Sequence, residues 1–500
     1  MNENNSSMND QDVWGSYETL ETAEAYIESL RDRNLDVYLF GELVEEPVDH
    51  PIIRPSINAM AATFGLAETE EDVATVSSSL SGARINRFLH IMNSQDDLVK
   101  KAQMQKRLGQ ETGTCFQRCV GLDAINALHS VTFDIDEAHG TSYHQRLLAF
   151  LKKVQVKNQV IGGAMTDAKG DRSKPPHQQE QQDIYLRVTK RDETGVYVSG
   201  AKCHQTGCIN SHWLIVMPTL RLTEEDQDYA IVGAIPVQAK GITYIYGRQS
   251  CDTRAMEGGE IDTGNSEFSG QEAMIIFEDV FIPNEFIFMN GEYEFAAPLV
   301  ERFTTYHRCS YICKTGVGDV LIGASAEIAD MNGVSTASHI KDKLVEMAHL
   351  NETIRSNALA SAYEGAPHKS GVWMNDELLA NVCKHNVTRF PYEISRLAQD
   401  LAGGIMVTLP SEKDLTHKKT GPLLKKYLQG REGGDVTDRV KILRLLENMT
   451  LGRNAVGYLT ESLHGAGSPQ AQRIQIAKGM KIEEKKKFAR KLAKIDESET

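Results

Sequence analysis

The sequence predicts an α+β protein in which a helical domain is followed by an antiparallel β domain and a helical bundle. Three observations indicate this order. Apolar residues recur at helical spacing through residues 19–156. Short β-rich segments separated by turn residues occupy residues 157–292. Long helical segments with glycine-rich breaks fill residues 293–500, so three domains are expected.

The bounds of single elements follow from the same patterns. The expected strands are residues 184–189, 195–203, 213–218, 230–237, 242–246 and 273–282. The expected long helices include residues 97–108, 114–129, 317–331, 338–362, 376–402 and 438–463, and residues 482–494 form a lysine-rich solvated helix. No G-x-G-x-x-G motif follows a strand, which argues against a doubly wound dinucleotide fold.

Composition limits the classes of partner. The net charge of −15 argues against non-specific nucleic-acid binding and against attachment to anionic membranes. No apolar run reaches the length of a membrane span. Residues 1–18 are interpreted as a disordered tail without the features of a secretory signal. A reducing, cytoplasmic compartment is therefore expected, in which the eight cysteines need not form disulfides.

Cys115 and Cys119 are separated by four positions in a segment expected to be helical. On a helix, this spacing places both thiols on one face, one turn apart. The pair therefore suits two ligands of a metal centre. The alternative is two unrelated thiols buried on one apolar stripe.

Two further clusters carry groups capable of acid–base chemistry. The segment His307-Arg-Cys-Ser-Tyr-Ile-Cys-Lys314 places an imidazole, two thiols, a phenol and an amine within eight residues. Glu461 and His464 lie three positions apart, on one face of a helix that is expected to stop at Gly465. A carboxylate beside an imidazole can form a general acid–base pair. A buried cysteine pair and a surface Glu–His pair are the simpler alternatives.

Two loop-like segments suit ligand binding. Residues 202–212 are polar and bounded by strands, as expected of a loop that binds a polar heterocycle. Zinc binding by Cys203, His204, Cys208 and His212 is an alternative, although the spacing matches no common zinc module. The helix end at Gly403-Gly404 is either a simple C-cap or a point of close approach to a phosphate or adenine.

Several segments together resemble the 4-hydroxybutyryl-CoA dehydratase family, part of the wider 4-hydroxyphenylacetate 3-hydroxylase group of flavoproteins. The matching segments include C-F-Q-R-C-V-G (115–121), A-M-T-D-A-K-G-D-R (164–172), H-Q-T-G-C-I-N-S-H (204–212) and T-E-S-L-H-G-A-G-S-P-Q-A-Q-R-I (460–474). The resemblance implies an acyl-CoA dehydrogenase-like fold, a homotetramer, and one FAD and one [4Fe-4S] cluster per subunit. It also implies dehydration of 4-hydroxybutyryl-CoA, and isomerisation of vinylacetyl-CoA, to crotonyl-CoA by a flavin-radical mechanism, with the cluster as Lewis acid.

The resemblance assigns the cluster ligands to Cys115, Cys119, His307 and Cys313. One feature departs from the family, in which six residues separate the histidine from the last cysteine. Here five residues separate them, and on a helix this spacing would leave the two side chains about 120° apart. Either the backbone is irregular at this point or Cys309 replaces Cys313 as ligand.

The resemblance also assigns the remaining site residues. His307 is both ligand and candidate base, and Glu461, with His464 nearby, is a second acid–base group. Tyr311, Lys314, Gln117 and Glu272 match other active-site positions. Thr206 would bind the flavin N5 beside Gln205, and the flavin would be lined by Met165, Thr166, Lys169 and Arg172. Weaker flavin candidates, contributed from a neighbouring subunit, are Asn386, Arg389, Gln399, Gly403 and Gly404.

Two other functions remain open from the sequence. The first is a flavin monooxygenase that uses reduced flavin and O2 on a phenol, since the wider group contains such enzymes; these lack the cluster ligands. The second is an inactive relative retained as a scaffold or electron carrier, for which the shortened His307–Cys313 spacing is the support.

Overall fold

The computed structural model describes residues 14–15 and 17–495, so most of the expected tail at residues 1–18 lies outside the described residues. The N-terminal helices are α1 (Ala23–Glu28), α2 (Arg54–Thr69), α3 (Glu71–Ala74), α4 (Gln95–Thr112), α5 (Cys119–His139) and α6 (Tyr143–Lys157). Ser94 caps α4 by accepting a hydrogen bond from the Asp97 amide. Gly113, at φ 58°, ends that helix in the left-handed region.

Fourteen strands are present in the described residues: β1 (Asp36–Leu39), β2 (Glu42–Leu43), β3 (Thr75–Ser77), β4 (Arg84–Asn86), β5 (Ile161–Ala164), β6 (Arg187–Arg191), β7 (Gly195–Thr206), β8 (Trp213–Val216), β9 (Ile231–Pro236), β10 (Ile242–Tyr246), β11 (Glu272–Pro283), β12 (Ile287–Asn290), β13 (Ala366–Pro367) and β14 (Trp373–Met374). A six-stranded sheet has the order β2-β1-β10-β11-β7-β6, and a four-stranded sheet has the order β12-β9-β8-β5.

The expected antiparallel β domain needs one correction. Strand β1 pairs parallel to β10, and β5 pairs parallel to β8, so both sheets are mixed. Both parallel partners precede the strands expected from the sequence: β1 comes from the N-terminal region, and β5 lies before the first expected strand at residues 184–189. The six-stranded sheet is therefore completed by residues from the helical N-terminal region.

The C-terminal helices are α7 (Ala296–Ser310), α8 (Cys313–Met331), α9 (Ser338–Tyr363), α10 (Glu377–Val387), α11 (Phe390–Ala402), α12 (Glu412–Thr416), α13 (Gly421–Tyr427), α14 (Val436–Thr450), α15 (Arg453–Ala455), α16 (Glu461–His464), α17 (Pro469–Gly479) and α18 (Ile482–Leu492). The helix expected at residues 376–402 is two helices, because Pro391 has no amide hydrogen to continue the ladder. A π-helical segment, Val456–Thr460, joins α15 to α16.

Two buried apolar clusters organise these elements. One joins the N-terminal helices to both large sheets, and the second lies among the C-terminal helices. The two regions meet where α4 packs on α8: a Cβ on Gly109 would lie 2.2 Å from the Cys313 carbonyl oxygen. In the described part of the chain, no helix is both long and apolar enough to cross a membrane.

Candidate active site

The two cysteines of the first motif do not share a helix, so this expectation is wrong. Helix α4 ends at Thr112 and α5 begins at Cys119, which leaves Cys115 in the intervening loop. Gln117 adopts a positive φ of 70°, which turns the loop sharply. Its side-chain amide donates to the carbonyls of Ser56 and Ser269, at 2.8 and 3.1 Å, and this anchors the loop.

His307 is held by a buried carboxylate that sequence reasoning missed. Its Nδ1 lies 2.7 Å from Oδ2 of Asp123, a residue of α5 with no exposed surface. Lys101 and Ser310 donate to the same carboxylate at 2.5 and 2.8 Å. Burial raises the pKa of Asp123, but Lys101 and His307 outweigh this effect, so the pKa is lowered and Asp123 stays ionised.

The ionised Asp123 fixes the tautomer of His307. A carboxylate can only accept hydrogen bonds, so Nδ1 of His307 must carry the hydrogen. In the neutral form of the ring, Nε2 is then the nitrogen with the lone pair, which can bind a metal or accept a proton. The ring is also fixed by stacking on Phe303, with centroids 5.3 Å apart.

The backbone between His307 and Cys313 is irregular. Helix α7 ends at Ser310 and α8 begins at Cys313, so the two residues lie on different helices. The angular argument for a continuous helix therefore does not apply, and the shortened spacing does not exclude Cys313. The alternative ligand Cys309 is buried, with its Sγ 3.1 Å from the Ser361 hydroxyl on α9.

Three thiols of the predicted ligand set influence one another. Burial, then Cys313, Asp123 and Cys115, raise the pKa of Cys119 well above its usual value. Burial, then Glu461 and Cys313, do the same to Cys115. Cys119 and Cys313 each occupy the first position of a helix, where the helix dipole favours a thiolate. A bound cation would remove the mutual repulsion of the three thiolates.

Three of the four predicted ligands remain partly exposed within an otherwise buried region, whereas Cys313 is buried. Cys115 and Cys119 are partly exposed although Phe116, Gln117 and Arg118 between them are buried. The His307 side chain is 12% exposed. Three thiols and an imidazole are suitable ligands for iron, so the donor set fits an iron–sulfur cluster.

Glu461 follows the π-helical segment and faces the same region. Its Oε2 lies 3.4 Å from Nζ of Lys314, and its Oε1 lies 3.9 Å from Sγ of Cys115. A Cβ on Gly457 would lie 3.5 Å from Cβ of Cys115, so the π segment passes directly beside this thiol. Such π segments recur at functional sites. The predicted helical turn ending at Gly465 is confirmed, but His464 is exposed.

Glu272 approaches from the β sheets. Strands β7 and β11 place Thr206 opposite Glu272, and the threonine hydroxyl donates to the carboxyl group at 2.5 Å. Burial, together with the charge of Glu461, raises the pKa of Glu272 well above its usual value. Glu272 therefore keeps its proton under conditions in which an exposed glutamate has lost it.

The predicted flavin segments meet at the end of β7. The side-chain oxygen of Gln205 accepts from the Met165 amide at 2.8 Å, and its NH2 donates to the Thr166 carbonyl at 3.0 Å. Lys169 is half-buried with a φ of 75°, whereas Arg172 is exposed. The segment 164–172 is therefore tied to the strand that carries Thr206.

The five other flavin candidates lie elsewhere: on α10, in the break between α10 and α11, on α11 and in the turn after α11. Arg389, Gly403 and Gly404 are exposed, and Asn386 and Gln399 are partly exposed. Gly403 has a φ of 77°, as expected of a helix C-cap. Their contribution to a flavin site of a neighbouring subunit stays a prediction.

The zinc alternative at residues 203–212 is wrong for a local reason. His212 accepts from the Val160 amide through Nδ1 at 3.0 Å, and its Nε2 lies 2.9 Å from the Ser29 hydroxyl, so neither ring nitrogen is free. In the described residues, no group of three or more His, Cys, Asp or Glu could hold a single metal ion. In a four-iron cluster each iron takes its own protein ligand, so those ligands need not meet at one point.

The comparisons with known proteins cover most of the chain. The N-terminal sequence profile of the 4-hydroxyphenylacetate 3-hydroxylase family matches residues 22–289, and the C-terminal profile matches residues 296–494. One solved structure of this family is an oxygenase component of 4-hydroxyphenylacetate 3-monooxygenase complexed with FAD. It shares 23% sequence identity with this chain at a TM-score of 0.83, and the match covers 95% of this chain and 98% of the other. The mixed helix-and-sheet fold is thus the fold of that group, and the chain belongs to the 4-hydroxyphenylacetate 3-hydroxylase family.

The relatives within that family differ in similarity. The 4-hydroxybutyryl-CoA dehydratase/vinylacetyl-CoA-Δ-isomerase of Clostridium aminobutyricum is 53% identical, over 95% of this chain and all of its own. The solved oxygen-tolerant archaeal 4-hydroxybutyryl-CoA dehydratase from N. maritimus is 67% identical at a TM-score of 0.95, with 96% of each chain covered. An oxygenase component of 4-hydroxyphenylacetate 3-monooxygenase from Thermus thermophilus is 24% identical, over 86% of this chain and 88% of its own. The resemblance predicted from the motifs is confirmed, while the likeness to acyl-CoA dehydrogenases stays a prediction.

Proposed function

We propose that the protein dehydrates 4-hydroxybutyryl-CoA to crotonyl-CoA and isomerises vinylacetyl-CoA to the same product. The observation that carries the proposal is the joint presence of Cys115, Cys119, Cys313 and the Asp123-bound His307 in a chain 67% identical to a solved 4-hydroxybutyryl-CoA dehydratase. The lower identity of 24% to an aromatic monooxygenase favours the dehydratase over the oxygenase alternative.

The proposal assigns two cofactors. Cys115, Cys119, Cys313 and Nε2 of His307 would hold a [4Fe-4S] cluster, and Cys309 is the less suitable fourth ligand because its thiol faces Ser361. FAD would lie along residues 164–172 and the end of β7, near Thr206, as relatives of this fold have been solved with FAD. When bound, FAD would supply one-electron chemistry, and the cluster would act as a Lewis acid towards a hydroxyl group.

The protein's own residues must move protons. The dehydration removes one hydrogen from the α carbon and one from the β carbon, releases the γ-hydroxyl as water and returns one proton to the γ carbon. In its neutral form, His307 can accept a proton at Nε2, because Asp123 holds the hydrogen on Nδ1. Glu461 sits against the Lys314 ammonium, whereas Glu272 retains its proton. Two carboxyl groups in such different environments suit opposite acid–base roles.

The quaternary structure belongs to the same proposal. We expect a homotetramer, in which Asn386, Arg389 and the turn at Gly403 and Gly404 of one subunit complete the flavin site of another. Their position on the surface of the C-terminal helices is consistent with this role.

A direct assay tests the function. Anaerobically purified protein, loaded with iron, sulfide and FAD, is mixed with 4-hydroxybutyryl-CoA, and crotonyl-CoA is separated and quantified. A parallel reaction contains reduced flavin, O2 and 4-hydroxyphenylacetate. We expect crotonyl-CoA and no hydroxylated phenol. Hydroxylated phenol without crotonyl-CoA would establish the oxygenase instead, and absence of both products from loaded protein would support an inactive relative.

A further inference from the structure

Lys384, on α10, is a buried cation that none of the assigned roles uses. Its side chain has no exposed surface, and its Nζ donates to the carbonyl of Ser462. The same Nζ lies 4.2 Å from the ring centroid of Tyr311. Within the part of the chain that the structure describes, no carboxylate lies within 4.0 Å of this ammonium group. Burying an unpaired ammonium is costly, so its retention calls for a reason.

The two partners of Lys384 belong to different parts of the active site. Tyr311 lies in the break between α7 and α8, and its ring is inclined at 75° to the His307 ring, with centroids 5.5 Å apart. Ser462 follows Glu461 in α16. The Tyr311 hydroxyl itself lies 3.4 Å from the Glu461 carbonyl. Lys384 therefore links the ring beside His307 to the helix that carries Glu461.

Helix α10 makes a second link to the same elements. Asn381 accepts from Nη1 of Arg308 at 2.6 Å, and Nε of Arg308 donates to the carbonyl of Ala466 at 3.1 Å. Arg308 lies next to His307 in α7, and Ala466 lies in the turn after α16. Helix α10 thus contacts α7 through Asn381 and Arg308, and Arg308 in turn binds the turn after α16. The contact of α10 with Tyr311 is made by Lys384.

The charged and titratable groups that face Lys384 are the Tyr311 phenol, Glu461, Arg308, Lys314 and Cys383. Burial lowers the pKa of Lys384 to about 7, with Arg308 and Lys314 lowering it further against the opposing charge of Glu461. Its charge is therefore sensitive to pH near neutrality.

We propose that Lys384 is a positioning residue for the dehydration: its ammonium group holds the Tyr311 ring and the Glu461 helix in register with each other. The ammonium form is the active one, because only a cation is attracted to the face of the ring. The effect on dehydration rests on the proposed function, whereas the link that Lys384 makes between Tyr311 and the Glu461 helix does not. Without Lys384, the carboxylate of Glu461 would lose its fixed distance to the groups around Tyr311.

Three variants test the inference in the cofactor-loaded protein. Lys384→Met removes the charge at similar length, Lys384→Arg keeps a charge at all accessible pH values, and Cys383→Ala alters the neighbouring buried side chain, whose thiol faces the Ile354 carbonyl. We expect Lys384→Met to lower kcat by about 10- to 100-fold with little change in KM. Lys384→Arg should restore part of this activity, and Cys383→Ala should leave kcat unchanged.

The pH profile separates positioning from a general loss of structure. The wild-type kcat should fall as the pH rises through about 7. This limb should be absent in both variants: Lys384→Met carries no charge and should have a low kcat throughout, whereas Lys384→Arg stays charged and should keep its partial activity. A limb that persists unchanged in Lys384→Met, or a similar loss of kcat in Cys383→Ala, would overturn the inference.

Hydrogen exchange provides a readout that does not depend on turnover. Amides of residues 461–466 should exchange about tenfold faster in Lys384→Met than in wild type or Cys383→Ala. Equal exchange in the three proteins would refute the structural link even if the enzyme is a dehydratase. If Lys384→Met exchanges faster than wild type but the wild-type protein forms no crotonyl-CoA, the structural link stands and the proposed function alone is refuted.

Discussion

Nδ1 of His307 lies 2.7 Å from Oδ2 of Asp123, although the two residues are 184 positions apart in the sequence. The contact joins α7 to α5, the helix that begins with Cys119. Asp123 is ionised, so the histidine presents Nε2 as its free nitrogen. A carboxylate in this position is the usual support of a metal-binding histidine, because it fixes the tautomer and the ring orientation.

Replacement of Asp123 by Asn should weaken iron binding. The Asn amide can donate to Nδ1, which would place the hydrogen on Nε2 and remove the lone pair that binds iron. We expect a 10- to 100-fold loss of iron affinity or activity, on the order of other supporting carboxylates. The measurement is iron content after chelator challenge. Ser310→Ala is the control, since it removes a different donor from the same carboxylate and should retain iron.

Glu272→Gln should change how stability depends on pH. The pKa of Glu272 is raised in the folded protein, whereas an unfolded glutamate titrates near about 4.3. As the pH rises above that value, the unfolded state releases the proton while the folded state keeps it, so wild-type stability falls until the folded pKa is passed. Glutamine carries no such proton. The difference in Tm between variant and wild type should therefore grow in favour of the variant as the pH rises above about 4.3. A constant difference would show that Glu272 is not held protonated.

Breaking the ion pair of Lys314 and Glu461 should destabilise the protein. The Lys314 side chain is 2% exposed and that of Glu461 is 18% exposed, and they are 3.4 Å apart. Lys314→Met leaves the carboxylate without its partner, and we expect a loss of about 3 kcal/mol in the free energy of unfolding. The double variant with Glu461→Gln should recover part of this loss in a urea titration. Additive effects of the two substitutions would mean that the pair is not coupled.

Close packing of α4 on α8 should be required for the position of Cys313. A Cβ on Gly109 would lie 2.2 Å from the Cys313 carbonyl oxygen, so Gly109→Ala must separate the helices. We expect a loss of about 1–3 kcal/mol and a lower iron content. Gly323 also lies on α8, but a Cβ added there would have no neighbouring atom within 4 Å. Gly323→Ala should therefore stabilise the protein by about 1 kcal/mol. Similar effects of the two substitutions would contradict this account of the helix contact.

The strands of the central region were predictable because alternation and turn residues are local signals. The prediction of residues 242–246 coincides with β10, and that of 273–282 falls within β11. Strand β1, however, is a short strand paired in parallel with β10, and its partner lies more than two hundred residues away. No local pattern specifies such a partner.

The site was predictable from motifs more than from geometry. The motifs single out the cysteines and His307, whose role as ligands stays a prediction. The helix expected around Cys115 is a loop, because Gln117 adopts a left-handed backbone and hydrogen-bonds to distant carbonyls. Asp123 and Lys384 were missed, since each acts through a contact between distant elements. The buried Lys101–Asp123 pair offered one weak signal, an acidic and a basic residue within otherwise apolar helix faces.

The proposed function requires that Cys115, Cys119, Cys313 and His307 hold an iron–sulfur cluster beside the flavin. The most direct test is an anomalous difference map, collected at the iron edge from crystals of anaerobically purified protein, together with iron and acid-labile sulfide analysis. The account predicts about four irons and four sulfides per subunit, with the iron density bonded to the three thiols and Nε2 of His307. Flavin-loaded protein without iron, or iron bonded to Cys309 in place of Cys313, would contradict it.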